Sequence, residues 1–282
     1  MHLNEFVVNC TVRIDSFNDD TLIGHGTGFF CTLAQEAGST IFGLITNKHV
    51  IANANNIRIL LSIQSPKGEL RHSSHRIDLN NTTLILHPRA DIDACSILVG
   101  QLLNSICSDG SILAHTFVDH QLIADHKTFS EILPLEEVTM IGYPIGLMDA
   151  VNNGAIARRG IIASDPTKHY DGRPEFVIDM ACMPGSSGSP VFLANAASYT
   201  TRKGGLFAGT RCKLLGLLWG GPERNVEGQI IAVPVPMNVT QIAVTRIPIN
   251  LGFVIKATEL TPIFEEAKKI LTKPLAKPDW KA

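Results

Sequence analysis

The feature that most constrains this chain is a recurrence of short β-branched and aliphatic runs set between Gly, Asn, Asp and Pro. They include FVVNCTVRI (6–14), GFFCTL (28–33), TIFGLIT (40–46), IRILLSI (57–63), TTLILH (82–87) and CSILVG (95–100). The pattern resumes with VTMIGYP (138–144), GIIAS (160–164), EFVIDM (175–180), PVFLA (190–194), LLGLLWG (214–220), QIIAVPV (229–235) and LGFVIKA (251–257). Runs of this length bounded by turn residues read as strands, and many of them joined by turns indicate sandwiches or barrels. Between them no helical periodicity is long enough for βαβ crossovers, which argues against a parallel α/β sheet.

The span VDHQLIADHKTFSEILPLEE (118–137) breaks the strand rhythm and reads as the connection between two halves. One helix is expected, at the end of the chain. Thr261 suits its cap and Pro262 its first turn, Glu265 and Glu266 suit its positive N-terminal end, and Pro274 stops it. Ile263, Phe264, Ala267, Ile270 and Leu271 fall on one helical face and should pack on the body. The expected units are therefore 1–120, 121–260 and a helix with tail at 261–282.

Composition narrows the function classes. The 282 residues are 45% hydrophobic and carry a net charge of −2, so no global field draws the chain to nucleic acid or anionic membrane. MHLNEFVVNC lacks the basic and long apolar regions of a signal peptide, and no apolar run is long enough to span a bilayer. The six cysteines form no C-x-x-C pair, which reads as reduced, mostly buried thiols in a cytoplasmic protein. His72 and His75 in RHSSHR have no further ligands nearby and read as a solvated loop, so neither a metal nor any other cofactor is expected.

Three places hold chemistry. In LITNKHVIANA (44–54), His49 sits where a strand turns into a short apolar segment, as a structural histidine or as a general base at the end of a rigid strand. In HPRADIDACSILVG (87–100), alternation puts Asp93 on the face of Cys95, Ile97 and Val99. A carboxylate ending a buried face needs a partner, such as a histidine N–H, whereas Asp91 and Asp93 as a pair also suit a turn. In PGSSGSPVF (184–192), small residues make an ordinary turn or present backbone N–H groups to an oxyanion beside a reactive serine. A hydroxyl nucleophile needs a base and the base an orienting group, and the chain supplies them in the order His49, Asp93, Ser187. That order differs from those of α/β-hydrolases and subtilisins.

Taken together, GTGFF (26–30), ITNKHV (45–50), DIDACSIL (91–98) and PGSSGSPVF (184–192) resemble a chymotrypsin/trypsin-fold serine peptidase of the bacterial trypsin-like peptidase domain kind, over roughly residues 5–257. The resemblance implies an all-β fold of two six-stranded antiparallel barrels with the active site between them. It implies His49 as general base and acid, Asp93 as its orienting group with Asp91 the runner-up, and Ser187 as nucleophile. The oxyanion hole falls on the backbone N–H groups of Gly185 and Ser187. The implied activity is peptide-bond hydrolysis through an acyl-enzyme; a latent peptide-binding scaffold on the same fold, or an esterase, are the alternatives.

Departures from the family pattern carry expectations too. Ser186 stands where digestive members place the aspartate that pairs with a newly cut N-terminus, so activation by that route is not expected. The pocket floor falls on Ala181, without the acidic residue of trypsin-like specificity, and Gly220 and Gly221 leave the mouth open. Trp219 beside them reads equally as pocket wall or as core. A small or medium apolar residue before the scissile bond is expected. The partner is then a protein or peptide substrate, with neither nucleic acid nor membrane involved.

Overall fold

The computed structural model describes residues 2–36, 38–229 and 242–272. The chain starts with a short helix, α1 (Leu3–Asn9), where the apolar run at 6–14 was read as strand. The reason is local. The side chain of His2 accepts the Asn4 N–H while Glu5 reaches back to the His2 N–H, a reciprocal cap that starts a helix before the strand begins.

Eight strands follow: β1 (Thr11–Asn18), β2 (Thr21–Glu36), β3 (Ser39–Thr46), β4 (Asn56–Gln64), β5 (Leu70–Asp78), β6 (Leu84–Leu86), β7 (Cys95–Leu98) and β8 (Ile112–Leu113). A one-turn helix, α2 (Lys48–Ile51), lies between β3 and β4, and α3 (Gly100–Ile106) lies between β7 and β8. The strands form one antiparallel sheet in the order β5-β4-β1-β2-β3-β7-β6, with β8 added to β4. Here the structure departs from the expected ring of six. The hydrogen-bonded path is open, because β6 is three residues long and its ladder runs only to β7. RHSSHR, read as a loop, lies in β5 and is paired along its whole length with β4; Ser62 Oγ and His72 Nδ1 lie 3.0 Å apart. A polar, largely exposed strand does not show the alternation that marks a half-buried one, which is why the pattern missed it.

The second unit contains α4 (His126–Glu131), β9 (Glu137–Gly142), β10 (Ile156–Ile162), β11 (Glu175–Asp179), β12 (Pro190–Asn195), β13 (Ser198–Thr200) and β14 (Leu206–Ala208). It continues with β15 (Arg211–Gly220), β16 (Glu223–Gln229), β17 (Ile242–Pro248) and β18 (Leu251–Lys256). Six of them close a barrel, β10-β11-β18-β15-β12-β9, while β13–β14 and β16–β17 are separate antiparallel hairpins. The strand read at 229–235 lies, beyond Gln229, outside the described residues, as do Pro274 and the tail.

Apolar burial explains how the parts hold together. Ile14, Phe30, Leu44, Ile59 and Ile97 fill the first sheet, and Met140, Phe176, Val191, Leu215 and Val254 fill the closed barrel. A third cluster joins the two, combining Phe29 and Leu33 of β2 with Phe192 of β12 and Leu217 of β15. The terminal helix α5 (Thr261–Thr272) inserts Ile263, Phe264 and Ala267 into this third cluster. Burial of Ile263 or Phe264 contributes roughly 1.5–3 kcal/mol each, as an upper estimate. The helix thus seals the junction between the units, as its apolar face required. The connecting span crosses the same junction: Val118 bridges to Cys31 and Ile123 to Leu214. All six cysteines are free, and no described helix is long and apolar enough to cross a membrane.

Candidate active site

Register places the histidine and the aspartate side by side. Thr46 at the end of β3 pairs with Cys95 at the start of β7, so the residues just beyond each strand leave the sheet next to one another. Asn47 strengthens the juncture by donating from Nδ2 to the Asp93 carbonyl at 2.6 Å. The single turn α2 then presents His49, whose Nδ1 is hydrogen bonded to Asp93 Oδ2. The second carboxylate oxygen accepts the His49 backbone N–H at 3.1 Å. Burial acts to raise the Asp93 carboxyl, but the hydrogen bonds from His49 and its charge outweigh that, leaving it below the ordinary carboxylate value. Asp91 is elsewhere: it is exposed and bonded to Arg89 at 2.6 Å.

Ser187 lies in the loop that enters β12. Two tight turns shape this loop, closed by Ser186 N–H to Met183 O and Ser189 N–H to Ser186 O, both at 3.0 Å. They need left-handed backbone at Gly185 (φ +86°) and Gly188 (φ +85°), where a side chain is strained. Space excludes one as well: a Cβ on Gly185 would sit 2.6 Å from the Tyr143 carbonyl oxygen, and one on Gly188 would overlap the Thr27 carbonyl. Among the described residues, the N–H groups of Gly185 and Ser187 donate to no acceptor, while Ser186, Gly188 and Ser189 do. Two neighbouring unpaired amides in a Gly-bounded turn are a ready site for a developing oxyanion.

Thr27 ties this loop to the first unit. Fully buried, it donates its N–H to Ser187 O at 2.8 Å and its hydroxyl to Gly185 O at 3.0 Å. The same hydroxyl accepts the Tyr143 N–H at 3.1 Å, and the Thr27 carbonyl accepts the Thr46 hydroxyl at 2.7 Å. A continuous bonded path therefore runs from the serine loop through Thr27 to Thr46, three positions before His49. GTGFF marks the motif but gives its threonine no task, because the partners of the Thr27 hydroxyl, Tyr143 and Gly185, lie 116 and 158 residues away.

Ser187 Oγ makes one hydrogen bond among the described residues, to the Trp219 carbonyl at 3.5 Å, and none to His49. Beside the serine opens a cavity of about 190 Å³ whose walls include Cys182, Met183, Pro184, Leu218, Gly220 and Gly221. Of the four residues expected to form the pocket, Gly220 and Gly221 line it; Ala181 and Trp219 do not. The Ala181 carbonyl is bonded to the Arg158 guanidinium, and the Trp219 ring stacks on Phe253 at 5.8 Å with Arg173 4.9 Å from its centre. Burial pushes the Cys182 thiol in this wall up to about 11, so it is an un-ionised, weakly polar surface. Among the described residues no cluster of three or more His, Cys, Asp and Glu is placed to hold a metal.

An all-β chain of two packed units, with a closed barrel, a second sheet and a C-terminal helix, is the trypsin-type architecture. The chain belongs to the trypsin-like peptidase domain family, whose model matches residues 26–197. Among solved structures it is similar to a serine endoprotease from Yersinia pestis, at 14% identity and a TM-score of 0.48, covering 95% of this chain and 67% of that one. It is also similar to the inactive form of a serine-to-alanine mutant protein from M. tuberculosis H37Rv, at 17% identity and a TM-score of 0.45, covering 97% and 93%. No curated protein matches it.

Proposed function

We propose that the protein is a serine endopeptidase using Ser187, His49 and Asp93. The observation that carries the reading is that Asp93 holds His49 at two points, Oδ2 on the ring Nδ1 and Oδ1 on the backbone N–H, while the Gly185 and Ser187 amides stay unpaired among the described residues. With Nδ1–H directed to Asp93, the neutral ring leaves Nε2 as the base. The Ser187 hydroxyl turns from the Trp219 carbonyl to His49, loses its proton to Nε2 and attacks the substrate carbonyl. The tetrahedral oxyanion is held by the two free amides, and His49 returns the proton to the leaving amine. Water then reverses the sequence to release the acyl group. The cavity beside Ser187, walled by thiol, thioether, proline, leucine and glycine, suits a small or medium apolar residue before the scissile bond.

One observation favours a second reading, a latent peptide-binding protein: the Ser187 hydroxyl is engaged by the Trp219 carbonyl and not by His49. A fluorophosphonate probe separates the two. Adduct formation on Ser187, abolished by Ser187→Ala, together with cleavage of an unfolded protein, is the expected result. A folded protein that stays unlabelled with and without peptide present would overturn the peptidase reading.

A further inference from the structure

Outside the His49–Asp93–Ser187 group, a half-buried cation beside the serine loop is left without a task by the chemistry above. Arg158 lies on β10 between Ala157 and Arg159, which both face solvent, and turns inward in accordance with strand alternation. Its guanidinium reaches the segment that carries the serine loop. Nη1 donates to the Ala181 carbonyl and Nη2 to Ser186 Oγ at 2.6 Å. Nε is buried and unpartnered, and among the described residues no carboxylate lies within ion-pair distance of the group.

A partly buried guanidinium without a counter-ion is costly, and fixed hydrogen bonds are what offsets the cost. Here both acceptors belong to one six-residue segment, Ala181 at its start and Ser186 at its end. Between them lie the pocket wall Cys182–Pro184 and Gly185, whose amide is one of the two unpaired donors. The planar fork of arginine spans two acceptors in fixed relative positions, which lysine, a point charge on a flexible stem, does not reproduce. Thr27 holds the loop from the first unit at Gly185 O and Ser187 O. Arg158 holds it from the barrel at separate atoms.

We propose that Arg158 is a positioning residue for the proposed reaction: by bracketing residues 181–186 it keeps the Gly185 amide directed at the oxyanion site. This rests on the peptidase reading for its catalytic consequence, though not for its structural one. Arg158 touches neither substrate nor reacting atoms; it acts through the loop.

The test compares wild type, Arg158→Met and Arg158→Lys by amide hydrogen exchange across 181–189 and by steady-state hydrolysis of a peptide ester. In Arg158→Met the protected amides of Ser186, Gly188 and Ser189 should exchange at least about tenfold faster, with the strands of both units unchanged. Hydrolysis should lose about 10–10² in kcat with KM little altered, less than the about 10²–10³ of an oxyanion donor removed outright because the Gly185 amide is misdirected and still present. Arg158→Lys should recover part of the protection and part of the rate. Unchanged exchange at 181–189, faster exchange throughout the protein, or a loss confined to KM would each overturn the assignment. Should the wild type not hydrolyse the ester, the peptidase reading fails, and the exchange comparison still decides whether Arg158 holds the loop.

Discussion

Replacing Asp93 by Asn keeps the shape of the side chain and removes one property, the ability to accept from both His49 N–H groups. Oδ1 accepts the His49 backbone N–H and Oδ2 is bonded to Nδ1. An asparagine has one acceptor. If its oxygen faces the backbone N–H, its NH₂ faces Nδ1 and forces the tautomer with the proton on Nε2, which cannot take a proton from Ser187. The opposite orientation sets two donors against each other at the backbone. Two losses follow in the transition state. The carboxylate no longer stabilises the imidazolium, a term of about 4 kcal/mol at 4 Å and an effective dielectric of 20, trimmed to about 3 because the His49 side chain is 48% exposed. Losing the charge-assisted hydrogen bond and the correct tautomer adds about 2–3 kcal/mol. The sum, about 5–6 kcal/mol, is a rate loss of ~10⁴. The measurement is the second-order rate of fluorophosphonate labelling at Ser187, with circular dichroism to show that the fold is retained. Asp91→Asn, at an exposed carboxylate bonded to Arg89, should leave the rate unchanged. Asp93→Asn labelling within about tenfold of wild type would refute the reasoning, since so small a loss leaves no room for the Coulomb contribution.

Thr27→Val preserves volume but leaves the Gly185 carbonyl and the Tyr143 N–H without their hydroxyl partner in a fully buried place. The expected cost is about 1–3 kcal/mol in thermal unfolding, with slower labelling of Ser187; an unchanged melting temperature would contradict the role given to Thr27. Acid should act through Asp93. Its folded-state value is depressed, so its stabilisation is complete above the ordinary carboxylate value of about 3.9 and lost as pH falls through the depressed one. Wild type should therefore be more stable than Asp93→Asn near neutrality, and the difference should shrink between about pH 4 and the acid transition, as followed by melting temperature against pH.

Strand positions were legible where one or both faces are buried. The runs at β3, β4, β7, β11, β12, β15 and β18 all carry buried apolar residues and were found. β5 and the hairpin β13–β14 were not, because their residues are mostly exposed or half-buried and leave no alternation to read. α3, seven residues long, is too short for its periodicity to stand out, and α1 depends on a cap at the second residue of the chain. Alternation gives Asp91 and Asp93 the same phase as buried Cys95, Ile97 and Val99, so only the family resemblance favoured Asp93; in the fold the two diverge, Asp93 bonded to His49 and Asp91 exposed against Arg89. The open path of the first sheet was not legible, since ring closure depends on which edges meet and not on the number of strands.

By itself, then, the sequence determined an all-β chain with a C-terminal helix, and the local character of the segments that carry His49 and Ser187: a strand end running into a short apolar turn, and a Gly-bounded loop. These follow from short-range sterics and from periodicity, which act over a few residues. Tertiary structure alone decided what those pieces touch. It bonded both oxygens of Asp93 to His49, made Thr27 a joint between the units, turned the Trp219 ring onto Phe253, and set Arg158 across Ala181 and Ser186. Such contacts depend on sheet register and on the packing of one unit against the other, and a hydrogen bond between residues far apart in sequence leaves no mark on the pattern around either.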